Sequence, residues 1–102
     1  MTAKAICRVG DQVTGTCNAH TTPRTFIGTW VTGSSIGTVD GLGIIREGDT
    51  GITDCNHHFV ATEGSSIFKE NGIAIHRVGD AVIVTEGGEG VSITGSGTSM
   101  SI

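Results

Sequence analysis

One tetrapeptide pattern occurs three times in this chain, as Arg8-Val-Gly-Asp11, Arg46-Glu-Gly-Asp49 and Arg77-Val-Gly-Asp80. A second pattern, Gly33-Ser-Ser-Ile36, returns as Gly64-Ser-Ser-Ile67 and weakly as Gly95-Ser96. Gly33 to Gly64, Gly64 to Gly95, Gly41 to Gly72 and Asp49 to Asp80 are each 31 residues apart. Asp11 to Asp49, Cys17 to Cys55 and His20 to His58 are each 38 apart. The difference of seven is an insertion in the first copy, after His20 and within Thr21 to Trp30. A period of this length marks a copied supersecondary unit whose apolar face is buried only against its neighbours. The 102 residues therefore read as a single domain, 1–102, of three repeats at about 4–41, 42–72 and 73–102, with one loop enlarged near 21–30.

The unit is β-structured. Gly occurs 17 times, Pro once and Tyr never, and Leu42 is the one leucine. Ile and Val make up 21 of the 37 apolar residues, and such β-branched residues with many glycines favour short strands and tight turns over helices. Asp40-Gly41 and Asn71-Gly72 are two-residue hairpin signals, because a type I′ turn needs positive φ at both central positions. They are flanked by β-rich segments, Ser35–Val39 with Leu42–Arg46 and Ser66–Glu70 with Ile73–Arg77. Gly48 and Gly79 bend the chain before the next segment, and small residues from Thr94 to Ser101 suggest a final strand. The expectation is an all-β hairpin fold with pseudo-threefold internal symmetry.

Net charge is −4 and the pI about 5.4, so the basic face of a nucleic-acid binder is missing. The first residues contain no apolar stretch of the secretory kind, and no signal peptide is expected. Apolar runs such as Ala81–Val84 are far too short to span a bilayer. Three cysteines, an odd number, point to thiol or metal chemistry rather than a disulfide framework. With 4% aromatic residues the core must be thin, and a small thin-cored domain needs a staple such as a metal or a partner.

Aligning the copies lays Cys17-Asn-Ala-His20 over Cys55-Asn-His-His58. Two Cys-x-x-His units in register supply two thiolates and two imidazoles, the four N/S ligands of a tetrahedral zinc site. The candidate ligands are Cys17, His20, Cys55 and His58. His57, next to His58, is able to replace one cysteine in a three-histidine, one-cysteine set. The third copy offers Glu86 and Glu89 here, poor company for a soft S/N site. Four protein ligands leave no position for a reacting water, so the site reads as structural, and no catalytic or small-molecule-binding residue is expected. His76 occupies the place of Cys7 and Ile45 in the other copies and reads as a core or interface histidine. The Arg-x-Gly-Asp segments read as structural, with the glycine bending the chain and Arg and Asp pairing within or between repeats. The insertion carries Pro23, Arg24, Phe26 and Trp30, and either packs over an exposed edge or docks a partner.

These residues bring a family into view. Hairpin units of the form Asn/Asp-Gly-x-x-x-x-Arg-x-Gly-Asp, with Cys/His loops and Gly-Ser turns, resemble the PAAR-repeat proteins over nearly the whole chain. The family's Pro-Ala-Ala-Arg motif stands here in degenerate form as Ala5-Ile-Cys-Arg8, Gly43-Ile-Ile-Arg46 and Ala74-Ile-His-Arg77. The resemblance implies a small cone with one structural Zn2+ near its apex, usually held by three histidines and one cysteine. His20, Cys55 and His58 match that set, with Cys17 and His57 contending for the fourth place. It further implies a tip that caps the trimeric β-helical spike of a contractile injection machine, one tip per trimer, for piercing the target envelope. A phage tail baseplate is the first expectation, and a type VI secretion spike the second. On that reading the protein is assembled in the host cytoplasm, ends up in the virion and meets the target membrane only transiently. It has no enzymatic activity, nucleic-acid partner or small-molecule substrate. A small zinc hydrolase, a zinc module for nucleic acid and a plain β-rich oligomerisation module are the weaker alternatives.

Overall fold

Asp40-Gly41 and Asn71-Gly72 do turn the chain through two left-handed residues each, with φ of 55° and 79° in the first and 53° and 81° in the second. Around them form two short ribbons, β4 (Thr38–Val39) with β5 (Leu42–Gly43) and β8 (Lys69–Glu70) with β9 (Ile73–Ala74). A third ribbon is built from both ends of the described chain, β1 (Lys4–Ala5) against β12 (Met100–Ser101). The final strand expected near 94–101 is thus two residues long, and its partner lies at the other end of the sequence. The computed structural model describes residues 3–18 and 20–101, and these are all-β with no helix.

The longer strands make a closed antiparallel barrel. Its members are β2 (Gln12–Cys17), β3 (Arg24–Trp30), β6 (Thr50–Thr53), β7 (His58–Ala61), β10 (Ala81–Val84) and β11 (Gly88–Ser92), in the order β10-β11-β2-β3-β6-β7. They form three sequential hairpins, β2–β3, β6–β7 and β10–β11. Closure removes the free strand edges on which β-rich chains aggregate. Within the enlarged segment 21–30 lies β3. It pairs with β2 from Cys17↔Arg24 to Gln12↔Thr29 and with β6 from Gly28↔Thr53 to Trp30↔Gly51. Phe26 and Trp30 alternate inward along it and are buried, so the insertion's aromatics build the core.

That core holds Cys7, Val13, Cys17, Phe26, Trp30, Ile45, Phe59, Ala61, Val82 and Val84. Trp30 meets Phe59 edge-on with ring centroids 4.8 Å apart, an arrangement the aromatic quadrupoles favour. Phe59 lies over Gly28 and Gly51, where any β-carbon would collide with its ring. Ile6, Ile44 and Ile75 form a second, smaller cluster with Val39 packed against it.

The ribbon-side segments interlock through backbone hydrogen bonds. The Cys7 N–H donates to His76 O (3.1 Å), the His76 N–H to Ile45 O (2.9 Å) and the Ile45 N–H to Cys7 O (3.0 Å), a closed cycle. Around it Val9 donates to Gly43, Glu47 to Ala74 and Val78 to Ala5, each at 2.9 Å. Each Arg-x-Gly-Asp segment is a turn with its glycine at φ of 90° to 95°. In each the Asp carboxylate accepts from the Arg backbone N–H and guanidinium, at Arg8–Asp11, Arg46–Asp49 and Arg77–Asp80. The expected Arg–Asp pairing is local in all three, and Arg8 also reaches Asp40 at 2.8 Å. In the Gly-Ser segments the hydroxyls of Ser34, Ser65 and Ser96 each accept the N–H groups two and three residues on, which stands in for a backbone turn.

Candidate metal centre

Hairpin turns set the location. The loops 18–23 between β2 and β3, 54–57 between β6 and β7, and 85–87 between β10 and β11 all lie at one end of the barrel. The ribbons sit in the connections at the other end. Cys17 is the last residue of β2 and is fully buried; His20 follows in the same loop. Cys55 and His57 sit in the tight β6–β7 turn, where Asn56 takes a left-handed φ of 65°. Thr53 closes this turn: its N–H donates to His57 O (2.8 Å), its carbonyl accepts from Asn56 N–H (3.1 Å), and its hydroxyl accepts from His57 N–H (2.9 Å).

Cys17, His20, Cys55 and His57 bring one ligand atom each into a group whose members all lie within 4.8 Å of one another. His57 Nδ1 is 3.3 Å from Cys17 Sγ and 3.6 Å from Cys55 Sγ. The rings of His20 and His57 are tilted together with centroids 4.9 Å apart. In a tetrahedron with bonds of about 2.0–2.3 Å the ligand atoms stand about 3.3–3.8 Å from each other, so the N–S spacings already suit one ion. His20 Nε2 is buried and has no hydrogen-bond partner among the described residues. A buried imidazole nitrogen without a partner is costly in a metal-free site and is a ligand in waiting if an ion is held. Two sulfurs and two imidazole nitrogens fit a borderline-soft divalent metal such as zinc and fit calcium or magnesium poorly.

Cys17, His20 and Cys55 of the expected set thus meet, and they are joined by His57 and not by His58. His58 opens β7, opposite Ile52, and is exposed outside the group. Repeat arithmetic aligned His58 with His20, but the left-handed Asn56 folds the turn so that His57 faces the sulfurs. Cys17 and His57, the two contenders for one place, both belong to the group.

Sequence reasoning did not find two further residues. Thr53 Oγ1 lies 3.1 Å from Cys55 Sγ, and Glu86 Oε2 of the β10–β11 loop lies 3.5 Å from His57 Nε2. Its chemistry makes Glu86 a poor member of the soft group, and it stands behind His57 instead. The third cysteine, Cys7, is in the core, where burial pushes its thiol up to about 12, which makes it inert as a nucleophile or ligand. His76 is in the core as well. No model of a known protein family and no curated protein matches this chain.

Proposed function

We propose that this protein is a zinc-stabilised structural tip of the PAAR-repeat kind, capping the trimeric β-helical spike of a phage tail baseplate. The observation that carries this reading is the two-cysteine, two-histidine group at the hairpin-turn end of the barrel, opposite the end where three ribbons close around a cycle of hydrogen bonds. A tapering end has no interior to bury, so hydrophobic burial cannot hold it, whereas a metal closed by separate loops converts its binding free energy into folding free energy. Four protein ligands saturate such an ion and leave no position for a reacting water, which favours a structural role over hydrolysis.

Corresponding ribbons, Arg–Asp turns and Ser-capped bends recur along the chain, and the cycle through Cys7, Ile45 and His76 joins equivalent positions of the three repeats. On this reading they surround a pseudo-threefold axis, and the ribbon end meets a threefold spike. Ile36, Leu42, Ile67, Phe68, Ile73 and Met100, all exposed, belong to the ribbons or the bends leading into them and supply the apolar base of the contact. The spike is an intracellularly assembled virion component, and a type VI secretion spike offers the same threefold end.

The test is elemental analysis of untagged protein together with native mass spectrometry on a mixture with a trimeric β-helical spike protein. One zinc per chain and one chain per spike trimer are expected. A well-folded chain without metal, or a complex with one chain on each spike subunit, would overturn the reading.

A further inference from the structure

We infer that Thr53 and Glu86 are the outer shell of the metal centre, positioning residues that fix its ligands in the metal-binding state and tie the third hairpin to it. This rests on the reading of Cys17, His20, Cys55 and His57 as metal ligands. Thr53 is buried, and the roles of its hydroxyl follow from its neighbours. Its oxygen accepts the His57 N–H, and Cys55 Sγ stands 3.1 Å away. A metal-bound thiolate has no proton to give, so the Thr53 hydroxyl must donate to it. One side chain thereby sets the backbone of one ligand and offsets charge on the sulfur of another.

Glu86 acts on the far side of His57. Since Nδ1 faces both sulfurs, Nδ1 is the ligating atom and Nε2 carries the proton toward the Glu86 carboxylate at 3.5 Å. A carboxylate behind a metal-bound imidazole fixes tautomer and ring orientation and raises ligand basicity. The four ligands come from the first two hairpins, while Glu86 comes from the third. Through it all three loops at this end answer to one ion.

The experiment compares wild type with Thr53→Val, Thr53→Ser, Glu86→Gln and Glu86→Ala. Zinc affinity is measured by chelator competition, and the cobalt-substituted proteins are examined for sulfur-to-cobalt charge-transfer absorption. Far-UV circular dichroism of each zinc-loaded protein checks the fold. Removing an outer-shell partner typically weakens metal binding about 10–100-fold. Thr53→Val and Glu86→Ala are expected to lose affinity in that range, and Thr53→Ser to return to within about threefold of wild type. Thr53→Val should also shift the charge-transfer band, because a hydrogen bond to the thiolate changes its donor strength, and Glu86→Gln, which keeps the acceptor oxygen, should lose less than Glu86→Ala. Wild-type affinity in both Thr53→Val and Glu86→Ala would overturn the outer shell while leaving the metal reading intact. A wild-type chain that binds neither zinc nor cobalt would overturn the metal reading and this one with it.

Discussion

At the scale of single residues, the difference between His57 and His58 shows how far counting along a chain reaches. The 38-residue offset pairs Cys17, the last residue of β2, with Cys55, two residues past β6, and the two do meet. It fails three residues later, where His57 and not His58 joins the sulfurs, and no periodicity encodes that exchange. His76 was legible as a core residue from its alignment with Cys7 and Ile45, but its partners were not. Trp30 Nε1–H donates to Ser92 Oγ at 3.2 Å, Ser92 pairs with His76 Nε2 at 2.8 Å, and His76 Nδ1 pairs with the Glu63 carbonyl at 2.6 Å. A carbonyl accepts only, so Nδ1 carries the proton and Nε2 accepts from Ser92, which leaves a neutral imidazole with both nitrogens satisfied. Burial, opposed by the Glu63 carbonyl and nearby Asp80, pulls its pKa below 6.5. The folded state therefore resists protonation that the unfolded chain accepts. Stability from this site is complete above pH 6.5 and falls below it, by at most about 1.4 kcal/mol per pH unit. His76 ring resonances should keep their neutral positions as pH drops through 6.5, and a midpoint at 6.5 would sink the assignment. Ser92→Ala strands the Trp30 N–H and His76 Nε2 and should cost about 1–3 kcal/mol in denaturant unfolding.

At the scale of elements, the hairpin turns were readable because Asp-Gly and Asn-Gly state their own backbone geometry. The barrel was not, since closure depends on pairings between strands far apart in the chain, such as β11 with β2. Nor was the role of the insertion readable: Phe26 and Trp30 announce aromatic surface, but only the register of β3 says which way it faces. Where β2 crosses β11, Gly15 stands opposite Gly90. A β-carbon on Gly90 would come within 2.3 Å of the Thr14 carbonyl oxygen, and one on Gly15 within 2.1 Å of Glu89 O. Backbone cannot step aside as a flexible side chain can, so the two glycines let these strands coil closely. Gly90→Ala should destabilise by about 1–3 kcal/mol in denaturant unfolding, as overpacking does. Gly97 has open space around it, and Gly97→Ala should be neutral or stabilise by up to about 1 kcal/mol. Equal effects at the two positions would mean that close approach is not what the facing glycines provide.

At the scale of the whole molecule, the two ends of the barrel are held by different means. The aromatic core and the hydrogen-bond cycle secure the ribbon end and the middle, whereas on the proposed reading the turn end relies on a metal held by the Cys/His group. Zinc removal should therefore open the molecule unevenly, with amide exchange rising in 18–23 and 54–57 while the amides of Cys7, Ile45 and His76 stay protected; uniform loss of protection would refute this division. The same division isolates the proposed docking surface from the metal. Ile67 and Phe68 are 53% and 47% exposed on the bend entering β8, in a connection at the end of the barrel opposite the Cys/His turns. Replacing exposed side chains of this kind changes folding stability by only about 0.5 kcal/mol. At the centre of an interface, an aromatic or aliphatic anchor commonly contributes about 2 kcal/mol or more, close to thirtyfold in affinity. Ile67→Asp with Phe68→Asp should accordingly weaken capture by the trimeric spike at least thirtyfold in a titration, with zinc content and melting temperature unchanged. If the double variant binds the spike as wild type does, the ribbon end is not the docking face, and the proposed base of the contact is overturned.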